Sequence, residues 1–176
     1  GTLIMVTGVG ILTLSFGVGF AWAVTVWDFP CKKFFSLALM LPMAIPTYVM
    51  AYGFSFAKYE VRDPLMIWVR ERWGYEAMSN STEIFNHLLA ILVLSFALYP
   101  YVFIAARVGF AEISGAYIEN SRLLGRGLWR SLFSVGFPLA RPAIIGGLLL
   151  ALLEVVNEYG AMTYYGIETL TTGIFV

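Results

Sequence analysis

Apolar positions run along most of this chain without interruption, and polar ones gather in a few short stretches. A helix needs about 20 predominantly apolar residues to cross the hydrocarbon of a bilayer. Four stretches meet that requirement. Residues 3–27 carry no charge and end at "WDFP", where Trp27 suits an interface and Pro30 stops a helix. Residues 34–57 are equally free of charge but contain Pro42 and Pro46. Residues 88–106 form the third stretch, with Pro100 near one end, and residues 143–165 the fourth, with Glu154 and Glu158 inside it. None alternates apolar and polar positions as an outer-membrane strand does. The pattern therefore predicts an all-α membrane protein, a polytopic transmembrane helix bundle with about four spans in this stretch of chain.

The stretches between the spans have their own patterns. In residues 58–87, "DPLMIWVRERWG" predicts a short helix on the outer membrane surface: Asp63 caps it, Pro64 opens it, Gly74 closes it, and Met66, Val69 and Trp73 share a face. In residues 107–142, Ile113, Tyr117, Asn120 and Leu124 recur at helical spacing, Gly125 breaks the run, and Leu128, Trp129, Leu132 and Phe133 resume it. That is helix, turn, helix. Two such short amphipathic helices need a surface to pack on, and from periodicity alone anionic lipid serves as well as a protein.

Charge orients the chain. Lys32, Lys33, Arg107, Arg122, Arg126, Arg130 and Arg141 fall on one side, whereas Lys58, Arg62, Arg70 and Arg72 on the other are diluted by Glu60, Asp63, Glu71, Glu76 and Glu83. The positive-inside rule places residues 107–142 in the cytoplasm.

Composition agrees with a lipid solvent: 60% of residues are hydrophobic and 12% charged, with 14 Phe, 10 Tyr and 5 Trp. No soluble core of this size hides so much apolar surface. Net charge is zero, which gives no argument for nucleic acid. The single cysteine, Cys31, leaves no disulfide framework and no thiol cluster for a metal. Gly1 lies in apolar sequence and the chain ends at "TTGIFV", so it reads as a piece of a longer polypeptide.

Ionisable groups at bilayer depth cost at least about 2.5 kcal/mol each and face a bundle interior or an aqueous path. Glu154, Asn157 and Glu158 fit that description, with the two carboxylates one helical turn apart. A carboxylate pair on a path attracts a cation, and hard oxygen ligands suit Fe(III). The alternative is that these residues hydrogen-bond other helices or lie near the outer interface. Pro42 and Pro46 remove two backbone donors and kink or unwind the second span, which makes it a candidate pathway wall, the alternative being a kink that serves packing alone. His87, the one histidine, borders a helix end and cannot assemble a metal site alone. An intramembrane enzyme built on the Glu pair lacks a nearby His, Asp or metal motif.

The cytoplasmic stretch resembles the signature of inner-membrane permease subunits of ABC importers, which is a Glu-Ala-Ala triplet, a Gly after three residues, then nine residues and Ile-x-Leu-Pro. Here "ENS" (Glu119, Asn120, Ser121), Gly125 and "VGFP" (Val135 through Phe137 to Pro138) hold the same spacing. The stretches "LPMAIPTYVMAYGF", "FPLARPAIIGGLLLALLE" and "YGIETLTTGIF" are similar to ferric-iron permeases, and the resemblance covers nearly the whole chain. In that family "FPG" commonly precedes this proline segment, and Cys31 stands where the Gly would be.

The resemblance implies a coupling loop seated in a cytoplasmic ABC ATPase dimer, with Glu119 pairing a basic group, Gly125 making the turn and Pro138 starting the next helix. It also implies a periplasmic substrate-binding protein, a second permease half, fused or separate, and a multi-pass location in a bacterial inner membrane. Ferric iron is the expected cargo; thiamine, a polyamine or an oxyanion is the alternative within the superfamily, and a structural membrane scaffold the remote one. No cofactor is expected on the chain itself. It contains no G-x-x-x-x-G-K-[ST] loop and no Gly-Lys pair, so ATP is expected to be used by the partner.

Overall fold

A computed structural model describes residues 1–54, 56–112 and 132–174, together with Leu123, Gly127 and Arg130. Among the described residues every regular element is helical. Helix α1 spans Thr2–Val26 and stops before Asp28 and Pro30. The chain then reverses through Cys31, which takes the left-handed conformation at φ 63° and ψ 19° and is the one non-glycine residue at positive φ among those described. A glycine adopts that turn without strain, whereas a side chain costs about 1–2 kcal/mol there.

The second apolar stretch is not one helix. Helix α2 (Lys32–Ala38) leads into a 3₁₀ turn (Leu41–Ala44) that holds Pro42, and helix α3 (Thr47–Gly53) follows Pro46. The pieces Lys32–Ala44 and Thr47–Gly53 meet at 96°. Pro46 drives the break, because its ring pushes Ile45 out of the helical region and it has no N–H to continue the ladder. The kink expected from the two prolines is a complete change of direction.

A π-helical turn (Ala57–Arg62) runs into helix α4 (Asp63–Trp73), with Pro64 in its first turn and Gly74 at φ 89° ending it. Two details differ from the sequence expectation. Asp63 is the first helical residue rather than the cap, and its carboxylate accepts hydrogen bonds from Arg62 Nε (2.8 Å) and Nη2 (2.6 Å). Met66 and Val69 are buried, but Trp73 at the helix end is exposed and stacks edge to face on Trp68 at 5.1 Å.

Helix α5 (Tyr75–Glu112) is 38 residues long, about 57 Å at 1.5 Å per residue, well beyond the ~30 Å of a hydrocarbon core. The apolar stretch of residues 88–106 is thus one portion of a longer helix. No glycine interrupts residues 75–108 to stop it earlier. A second π-helical turn (Leu132–Gly136) opens into helix α6 (Phe137–Asn157), with Pro138 in its first turn. The fourth apolar stretch, expected as one helix over residues 143–165, breaks after Asn157, and helix α7 (Gly160–Tyr165) and helix α8 (Leu170–Ile174) follow. Helices α1, α5 and α6 are long and apolar enough to cross a membrane, and the bent α2–α3 segment is a fourth candidate.

The chain forms two compact units. One comprises Gly1–Gly10, Ala44–Ala97 and Leu152–Val176, and the other Ile11–Met43 and Leu98–Ala151. The core of the second unit packs Ala21, Trp22 and Val24 of α1 and Ala140 and Ile144 of α6 around Tyr99, Val102, Phe103, Ala106 and Phe110 of α5. Phe20 meets Tyr99, and Trp22 meets Phe110, both at 5.4 Å with tilted rings. Lipid tails are as apolar as leucine, so helix association in a membrane rests on close packing rather than on water exclusion. Small residues provide it here. A methyl group added at Gly17 would lie 2.6 Å from Val102 Cβ, and one at Gly147 would lie 2.7 Å from Ala105 Cβ. Large apolar side chains such as Ile11, Leu149 and Leu153 stay exposed, as lipid-facing positions do.

Candidate functional site

The polar groups of the first unit converge on the two short helices that follow helix breaks, α3 after Pro46 and α7 after Glu158. Helix α6 ends when Glu158 leaves the helical path, its N–H donating to the Val155 carbonyl at 3.3 Å. The Glu158 carboxylate then serves both short helices. Oε1 accepts the Ala161 N–H at 3.0 Å, one of the unpaired donors at the start of α7, and Oε2 accepts the Thr47 hydroxyl at 2.5 Å. Thr47 is the first residue of α3. One carboxylate thus joins the beginnings of two helices through a bond to a residue 111 positions away.

Further contacts bind the same pair. The Tyr165 hydroxyl donates to the Ala51 carbonyl (3.2 Å), one of the orphan acceptors in the last turn of α3. The Tyr52 and Tyr164 rings lie 5.2 Å apart. At Gly160 a side chain would put its Cβ 3.0 Å from Tyr48 Cβ, so glycine permits the backbones to approach. The end of α7 is held by Asn86 of α5, whose Nδ2 donates to the Tyr165 carbonyl (3.1 Å) while its Oδ1 accepts from Arg62 Nη1 (3.0 Å). The Lys58 ammonium sits over the Tyr164 ring at 5.0 Å.

The residues singled out by sequence are placed as follows. Glu158 is half-buried and doubly bonded, whereas Glu154 and Asn157 are exposed on α6. Glu154 and Glu158 are therefore not a matched pair on one helix face, because the helix ends between them. Pro42 is half-buried in the 3₁₀ turn and Pro46 exposed at the break. Phe137 and Pro138 are half-buried in the first turn of α6, and the backbone of Val135 belongs to the preceding π-helical turn. Glu119, Asn120, Ser121 and Gly125 lie outside the described residues. Among the described residues no three His, Cys, Asp or Glu side chains gather as a metal site.

Thr47 and Asn86 escaped the sequence reading, and Tyr165, which with Tyr164 suits an interfacial aromatic belt by sequence, is buried instead. Pro followed by Thr at "IPTY" is a helix-start signal, and "NEYG" carries a polar-glycine stop, so the two breaks were there to be read. That the breaks meet was not.

With this geometry in place, comparison with known proteins defines the class. The chain belongs to the family of binding-protein-dependent transport system inner membrane components, whose profile matches residues 14–174. It is 29% identical over 149 residues to the probable sulfate transport system permease protein of Chlorokybus atmophyticus, covering 84% of this chain and 49% of that one. It is 28% identical over 156 residues to the molybdenum transport system permease protein of Escherichia coli K12, covering 86% and 63%. The molybdate/tungstate transport system permease protein of Thermococcus kodakarensis is 25% identical over 162 residues, covering 92% and 57%. The chain thus spans from about half to just under two thirds of the length of these curated relatives. These three relatives are named for sulfate, molybdenum and molybdate/tungstate, and none of the three for ferric iron. The pair of carboxylates on one helix face that leaned toward a cation is not formed, because Glu158 lies beyond the end of α6 with both oxygens engaged by Thr47 and Ala161.

Proposed function

We propose that this chain forms the membrane path of an ATP-driven importer for a tetrahedral oxyanion of the sulfate and molybdate class. The observation that carries this reading is the similarity, over 84–92% of the chain, to permeases named for sulfate, molybdenum and molybdate/tungstate. In this reading the partners are a periplasmic substrate-binding protein that delivers the anion, a second permease half, and a cytoplasmic ABC ATPase dimer that hydrolyses the ATP. The chain itself is not a catalyst. Residues 107–142 dock on the ATPase, with Glu119 and its neighbours Asn120 and Ser121 at the contact, Gly125 at the turn, and Val135, Phe137 and Pro138 leading into α6.

Glu154 and Asn157 are the candidates for the path wall on α6, with Pro42 and Pro46 opposite in role, shaping the second span. A carboxylate beside an anion's route shortens residence, and a permease needs weak binding. The sign of one substitution separates cargo classes. Glu154→Gln raises the apparent affinity for an oxyanion and lowers it for a cation.

The test is uptake of radiolabelled sulfate and molybdate into proteoliposomes holding the complete transporter with its binding protein and ATP. The reading expects saturable uptake of at least one of the two anions. It also expects uptake to be lost in Glu119→Ala and Gly125→Leu while the protein still inserts in the membrane. Uptake of ferric iron and of neither anion would overturn the cargo, and full coupling in both loop variants would overturn the docking.

A further inference from the structure

The contacts between α3 and α7 are more numerous than two six- or seven-residue helices need if each merely ends a span. Each is preceded by an interruption of helical structure, a 96° bend at Pro46 and the non-helical residues Glu158–Tyr159, and each is too short to be stable alone. They are held to one another at both ends. At their beginnings Thr47 meets Glu158, at mid-length Tyr48 meets Gly160, and at their ends Ala51 meets Tyr165 and Tyr52 meets Tyr164. A helix break is where backbone dihedrals absorb motion, and a packed, hydrogen-bonded pair between two breaks is stiff by comparison.

We propose that α3 and α7 travel as one rigid pair during the transport cycle, pivoting on the Pro46 and Glu158–Tyr159 breaks, with Thr47 and Glu158 as the positioning residues that keep the two pivots in register. This deepens the transporter reading and rests on it for the word cycle, but on no particular cargo. The Glu158 carboxylate suits the task because both its oxygens are engaged, one with a hydroxyl of α3 and one with a backbone donor of α7. Any relative slide of the helices breaks a charge-assisted bond. Had the two helices been the separating walls of a gate, bonds of this kind would have to be broken and remade at every turnover.

The test locks the pair. In a Cys31→Ser background of the complete transporter, Tyr48→Cys with Gly160→Cys places the two Cβ atoms 3.0 Å apart, a separation that a disulfide spans after an opening of about 0.5–0.8 Å. Tyr52→Cys with Tyr164→Cys, bridged by a short bis-maleimide, is the second pair. Cross-linking is followed by mass spectrometry without nucleotide and with the ATPase trapped by vanadate, and ATP-driven uptake is measured before and after reduction of the disulfide. The proposal expects equal cross-linking in both nucleotide states and retention of about half or more of the uptake in the locked protein.

Three results overturn it: no cross-link at either pair, a cross-link confined to one nucleotide state, or uptake that falls about tenfold when locked and recovers on reduction. Thr47→Val and Glu158→Gln report on register. Each is expected to lower the anions moved per ATP hydrolysed while ATP hydrolysis itself persists, and an unchanged ratio in both variants overturns their assigned role. A transporter that moves neither sulfate nor molybdate fails the cargo reading, and the cross-linking comparison between nucleotide states still judges the rigid pair.

Discussion

Substitution of Gly147 by alanine adds one methyl group at a close helix crossing in the second unit. That carbon would lie 2.7 Å from Ala105 Cβ, 2.8 Å from the Tyr101 carbonyl oxygen and 3.1 Å from Val102 Cα. None of these atoms belongs to the far end of a flexible side chain, so rotation relieves nothing. Carbon atoms rest at about 3.5–4.0 Å, so α6 must retreat from α5 by roughly 0.8 Å. The retreat loosens the buried stripe of Ala140, Ile144 and Ala151 on the same face of α6. Overpacking of this kind costs about 1–3 kcal/mol, against which the better helix propensity of alanine returns up to about 1 kcal/mol.

Two glycines serve as controls. Gly19 and Gly146 have nothing within 4 Å of a Cβ, so alanine there brings only the propensity gain. Reversible unfolding in mixed detergent micelles should therefore place Gly147→Ala about 1–3 kcal/mol below Gly19→Ala and Gly146→Ala. If all three variants unfold within about 0.5 kcal/mol of one another, the helices do not cross this closely and the packing argument fails.

Two further expectations concern single residues. Cys31→Gly removes a left-handed side-chain penalty of about 1–2 kcal/mol and adds about 0.5–1 kcal/mol of chain entropy, so the variant gains about 0.5–1 kcal/mol, whereas Cys31→Ala gains nothing; the thermal midpoints of the pair check this. Asn86→Leu leaves the Tyr165 carbonyl and one Arg62 N–H without their partner and is expected to cost about 1–3 kcal/mol, with amide hydrogens of α7 exchanging faster than those of α3; uniform exchange would place the loss elsewhere.

The sequence alone determined the class of solvent, the helical architecture and the approximate location of four apolar stretches. Each follows from local quantities: run length, absence of charge, and spacing within a turn or two. It also determined where the second span breaks, because proline acts on its own neighbours. The same locality made Asp63, Pro64 and Gly74 legible as the frame of α4, apart from a one-residue shift at its start.

The role of Glu158 could not be read this way. As a member of an i, i+4 pair with Glu154 it looked like half of a cation site, and the reading assumed that the helix continued through both. Its partners are the Ala161 N–H, three residues away but reached only because the helix ends, and the Thr47 hydroxyl, which no local rule connects to it. The burial of Tyr165 and its bond to Ala51 have the same origin. Which polar groups meet across more than 100 residues is set by how the helices cross. Those crossings depend on the close approach of small residues such as Gly160 and Gly147, which the hydrophobic pattern does not encode. Between the two readings the sequence left open for Glu158, a carboxylate of a cation site or a hydrogen-bond partner of another helix, tertiary structure decided for the second and supplied the partner.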